Sequence, residues 1–186
     1  MLLHGARARA ESQGGSWALC YDSSADCTAC PSATFTATHS WESSCSCSSG
    51  STSFHGGCDA HTQTVVIAHN SLGFTFGGFA QATWAGNDGW AYNAAGDFLF
   101  RLGPGVGPVA YRPTGKDTYY QRRDPGFWPI WGSGNDLAFG FDGALGQGGY
   151  AYCDQGVTYA GESNEACGGK GNWGATEMEV WYRVGS

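Results

Sequence analysis

Eight cysteines, at positions 20, 27, 30, 45, 47, 58, 153 and 167, constrain this chain more than any other feature. A reducing compartment has little use for so many thiols outside metal or redox sites. The count therefore points to disulfides and to an oxidising compartment, either outside the cell or in an organelle lumen. Two other uses of the same residues weigh less. Cys27-x-x-Cys30 and Cys45-x-Cys47, separated by fourteen residues, resemble a zinc site, but the second pair is one residue too close for the usual knuckle. His55-x-x-Cys58-x-x-His61 carries ligand-type side chains, with a structural role favoured. Cys27-Thr28-Ala29-Cys30 runs into Pro31 and lies in no βαβ unit, so it lacks the helix N-terminus that lowers the pKa of a redox thiol. No metal and no cofactor is expected.

A chain of 186 residues suits a single domain. Residues 1–15 read as an N-terminal tail or leader remnant, because Met1–Ala10 is too short and too polar for a complete signal peptide. Residues 16–186 read as the domain, with a Cys/Ser/Thr-rich insertion at 23–53 that holds too few apolar residues to build a core. The 31 glycines and 27 aromatics suggest short strands, tight turns and large rings in the core. With only 13% of residues charged, disorder is excluded. The net charge is −7 and Arg122-Arg123 is the longest basic run, which excludes a nucleic-acid partner. No apolar run approaches the roughly 18 residues of a membrane span. No Asn-x-Ser/Thr sequon supports the secretory reading.

Along the chain, strands are expected at 17–22, 64–68, 74–84, 97–102, 137–141, 149–153 and 176–184, with turns such as Asn87-Asp88-Gly89 between them. The last strand alternates cleanly. Met178, Val180, Tyr182 and Val184 face one way, and Glu177, Glu179, Trp181 and Arg183 the other, with Met178 and Val180 expected to be buried. Short helical turns are expected around 53–58 and 118–122. Turn signals at roughly ten-residue spacing indicate an all-β fold, an antiparallel two-sheet β-sandwich with peripheral helical turns, stapled by disulfides.

Four motifs in order give a resemblance. Phe76-Gly77-Gly78-Phe79 is followed by Trp84, then Phe98-Leu99-Phe100, then Gly132-Ser133-Gly134-Asn135-Asp136-Leu137, then Glu179-Val180-Trp181. In this order they resemble the TLDc domain over about residues 54–184. Cys20-Tyr21 and Phe54-His55-Gly56-Gly57-Cys58 are similar to a cysteine-bearing subgroup of TLDc-like proteins. Trp131 stands where the family has a core Phe. The resemblance implies a compact β-sandwich, a link to oxidation resistance and regulation of the vacuolar proton pump.

Cys153 and Cys167 flank a thirteen-residue loop and are expected to bridge. Cys20 is expected to pair with Cys58, and Cys27 or Cys30 with Cys45 or Cys47. No Gly-x-Ser-x-Gly elbow occurs. Glu177 and Glu179, with Arg183 beside them, could look like a glycosidase pair, but a surface ion row is the favoured reading. The turns Asn87-Asp88-Gly89, Gly134-Asn135-Asp136 and Asp142-Gly143 are of a type that can ligate calcium, and most often are simply turns. Phe127, Trp128 and Trp131 fall in a segment that otherwise reads as loop, so accessible rings there are expected to contact a partner. The functional expectation is a non-enzymatic interaction or scaffolding module that binds a protein, or a glycan. The alternative is the protective or proton-pump role that the resemblance implies.

Overall fold

Burial alternates residue by residue along Thr64–Asn70, which marks a strand with one face on the core. It is one of twelve strands in a computed structural model that describes residues 16–26, 45–46, 51–70, 73–86, 89–92, 96–103, 107–140, 144–145, 153–163, 165–168 and 175–185. The main sheet is antiparallel. Its order is β1 (Trp17–Asp22), β12 (Ala175–Arg183), β3 (Thr64–Asn70), β4 (Thr75–Ala80), β6 (Phe98–Leu102) and β7 (Val109–Tyr111). The smaller sheet runs β10 (Leu137–Ala138), β9 (Ile130–Trp131), β8 (Tyr119–Arg122) and β5 (Trp90–Tyr92). β2 (Cys45–Ser46) and β11 (Ala144–Leu145) form a separate ribbon. Two short helices, α1 (Ser23–Asp26) and α2 (Ser51–Cys58), follow β1 and precede β3.

The core lies between the two sheets. Val66, Ala68, Phe76, Leu99, Met178 and Val180 come from the main sheet, and Trp131, Leu137 and Phe139 lie opposite them. The paired glycines of β4 have a packing cause. A Cβ on Gly78 would lie 2.7 Å from a ring carbon of Trp131 and 3.1 Å from a Leu99 methyl, so only glycine lets that indole lie against the sheet. Gly77 faces outward. A Cβ there would collide with the Val66 carbonyl oxygen and sit 3.0 Å from the Phe100 ring.

Cys20 is bonded to Cys58 and Cys153 to Cys167, the two pairs expected from the sequence. The first ties β1 to the end of α2. The second closes a loop whose Val157, Thr158 and Tyr159 N–H groups all donate to the buried Asp136 carboxylate. Asp136 thereby docks that loop onto the glycine-rich turn before β10. The expected tail at 1–15, and Cys27, Cys30 and Cys47, lie outside the described residues.

The strand expected at 74–84 ends at Ala80, the one expected at 137–141 is paired as a strand only at Leu137–Ala138, and the one expected at 149–153 lies, but for Cys153, outside the described residues. Another expected element is of a different kind. Residues 118–122 do not make a helical turn: Tyr119–Arg122 is β8, paired with β5. The strand carries a register shift opposite Ala91 and Tyr92, and that irregularity masks the two-residue alternation by which strands are read.

Candidate functional site

Pro125 and Gly126 are exposed, but from Trp128 to Trp131 the segment does not run over the surface. It folds back onto the core, and Trp128 and Trp131 are both 0% exposed, so the accessible indoles expected at these two positions are not there. Trp128 packs against Tyr21 at 5.5 Å and Phe54 at 6.3 Å between ring centroids, and Trp131 against Trp84 at 5.1 Å. Trp131 also donates from Nε1 to the Phe79 carbonyl at 3.3 Å.

Helix α2 fastens the segment in place. Ser51 donates from Oγ to the Pro125 carbonyl at 2.9 Å. His55 Nε2 meets the Phe127 carbonyl at 2.9 Å, while Nδ1 meets Asp59 Oδ1 at 2.7 Å. Each ring nitrogen thus faces an oxygen of a different segment.

Of the three residues expected to touch a partner, Phe127 alone stays half-exposed. It belongs to a strip of rings on the outer face of the small sheet. The Arg122 guanidinium lies 3.7 Å from the Phe127 ring centroid and 5.7 Å from that of Trp90. Trp90 meets Tyr119 at 5.8 Å, and Tyr119 meets Tyr92 at 5.3 Å. The register shift in β8 puts Tyr119 opposite Tyr92, and Trp90 opposite Arg122, so all four share one face. Ala91 and Gln121 fill the buried face. Tyr92 is 53% exposed and Tyr119 38%. Arg122 donates from Nε to Asp124 Oδ2 at 2.8 Å, which neutralises that cation.

The main sheet presents a second outward surface. Cross-strand register places Leu19 opposite Trp181, Trp181 opposite Val65, Val65 opposite Phe79 and Phe79 opposite Phe98. These five residues form one apolar row across five strands, about 19 Å at ordinary strand spacing. Ile67 and Phe100 flank it. Leu19 is exposed and the others are half-buried. An antiparallel sheet with one solvated face usually carries polar residues there; here the outward row is aliphatic and aromatic. Charged groups rim it. Arg112 sits 4.8 Å over the Phe98 ring, and Glu179 accepts from Trp181 Nε1 at 2.8 Å. Glu177 and Glu179 thus belong to the outward face, with Met178 and Val180 buried as expected.

No group of three or more His, Cys, Asp or Glu side chains that could hold a metal occurs among the described residues. The most perturbed carboxyl, Asp97, is fully buried at the start of β6. Its Oδ1 accepts from the Gln81 N–H at 2.7 Å, and Oδ2 has no partner among the described residues. Burial pushes this carboxyl up to about 7 against the pull of the Gln81 N–H. Across the core, burial and the nearby Asp97 and Asp136 carboxylates push the Tyr159 phenol above its ordinary range.

A family model of the TLDc domain matches residues 35–183. The chain belongs to the TLDc family. The match runs from the Cys/Ser/Thr-rich stretch through β12 and so includes both outward surfaces except Leu19. No curated protein matches the chain. Within this TLDc domain the FGG motif is explained by the Trp131 contact, and the Asn135-Asp136 turn by the loop that Asp136 holds. Neither the strip nor the apolar row has a local sign in the sequence, because each is assembled by pairing between distant strands.

Proposed function

We propose that this TLDc domain is a non-enzymatic interaction module of an extracellular or organelle-lumen assembly, docking a partner protein on the outer face of its main sheet. The observation that carries this reading is the in-register row Leu19–Trp181–Val65–Phe79–Phe98. An apolar and aromatic centre with charges kept to its rim is the anatomy of a protein–protein contact. The disulfides support the oxidising compartment. The test is the native mass of the chain in extracts of its source. The wild type should elute within a larger complex. Leu19→Asp should release it as a monomer with its unfolding midpoint unchanged, since Leu19 is 43% exposed. A wild-type chain eluting at monomer mass would count against the reading.

Family membership favours a second reading, a protective role against oxidation or a regulatory role at a proton pump. A thiol-based protective role needs a free cysteine, and Cys20, Cys58, Cys153 and Cys167 are all bonded. Titration of thiols in the denatured, unreduced chain separates the readings: none at all removes a thiol-based mechanism.

A further inference from the structure

We propose that the strip on the outer face of the small sheet is a binding site for an uncharged glycan chain. The site is independent of the protein-docking face, since it lies on the other sheet. Four rings, from Phe127, Trp90, Tyr119 and Tyr92, and one guanidinium follow one another at 3.7 to 5.8 Å. Aromatic π faces attract the electropositive C–H faces of pyranose rings. Tyrosine rims add hydroxyls that both donate and accept. The rings are stepped, tilted by 65° between Trp90 and Tyr119 and by 54° between Tyr119 and Tyr92. A stepped row suits sugar units that are themselves rotated about their glycosidic bonds.

The polar group in the strip decides between occupants. Arg122 uses Nε on Asp124. The pair sets a guanidinium, a donor, beside a carboxylate, an acceptor, both partly exposed, with side chains 27% and 26% accessible. A sugar hydroxyl donates and accepts, so a vicinal diol satisfies both members at once. A polyproline segment, the other ligand that aromatic grooves take, has carbonyl acceptors and no backbone donor. It would leave the Asp124 carboxylate facing oxygen. An anionic glycan would meet a neutralised arginine on a chain of net charge −7.

The measurement is binding of the full chain to an array of neutral, sialylated and sulfated glycans that also carries a decaproline peptide. Neutral glycans should bind. Tyr92→Ala with Tyr119→Ala should lower that binding about tenfold or more, with thermal unfolding unchanged because both rings are exposed. Asp124→Asn should lower it as well. Leu19→Asp should leave it intact, which separates this site from the protein-docking face. Absence of binding to every neutral glycan, binding to anionic glycans or decaproline alone, or binding that survives loss of both tyrosines would each overturn the proposal.

Discussion

Single side chains set two measurable properties of this domain. Asp97 is buried with one oxygen unpartnered among the described residues, and its folded pKa of about 7 stands above an ordinary value of 3.8. A carboxyl raised in this way favours the protonated form in the fold. Its contribution to stability is therefore complete below about pH 4, is lost as pH rises towards 7, and is constant above that. The loss is up to about 4 kcal/mol. Asp97→Asn should flatten urea-unfolding stability between pH 4 and 7 and raise it at pH 8; an unaltered profile would show that Asp97 is not the group responsible. Trp128 is the second case. Trp128→Ala should cost about 3–5 kcal/mol as a core cavity. Trp128→Phe should cost less, because it keeps a ring and removes an indole N–H that no described residue accepts. Equal losses in the two variants would mean that the ring contributes little. The segment's composition was legible in the sequence, and its exposure was not. Glycines and prolines around Phe127–Trp131 announce a loop, but the space that takes Trp131 inward is left by Gly78, some fifty residues away, and the rings that Trp128 packs on, Tyr21 and Phe54, are more remote still.

Elements were readable where they are long and regular. β12 shows its alternation over nine residues, and β3 and β4 their β-branched and aromatic runs. β5, β7 and β9 span two or three residues, too few for any period to declare itself. β8 was hidden by its own register shift. In β4 the glycines define how the element meets its neighbours. Gly78→Ala should destabilise the domain by about 1–3 kcal/mol through overpacking against Trp131. Gly56→Ala in α2 meets nothing within 4 Å and should be neutral or mildly stabilising. Chemical denaturation of the two variants side by side checks the contrast, and similar midpoints would contradict the packing described for β4.

At the scale of the whole molecule, the sandwich is held by chain crossings that the disulfides lock. Cys20–Cys58 closes 38 residues and Cys153–Cys167 closes 14, about 4 and 3 kcal/mol in the chain-entropy model. The cysteine count and the ordered TLDc motifs made that architecture legible. The outward surfaces were not, because Leu19, Trp181, Val65, Phe79 and Phe98 lie far apart in sequence and meet only through antiparallel register. Their exposure as one row is the basis for reading the domain as an interaction module. Hydroxyl-radical footprinting of the chain, free and within its native assembly, tests this most directly. Oxidation at Leu19, Trp181, Phe79 and Phe98 should fall in the assembly, while Tyr119 on the opposite sheet keeps its rate. Equal oxidation of the four residues in both states would contradict a partner on the main sheet.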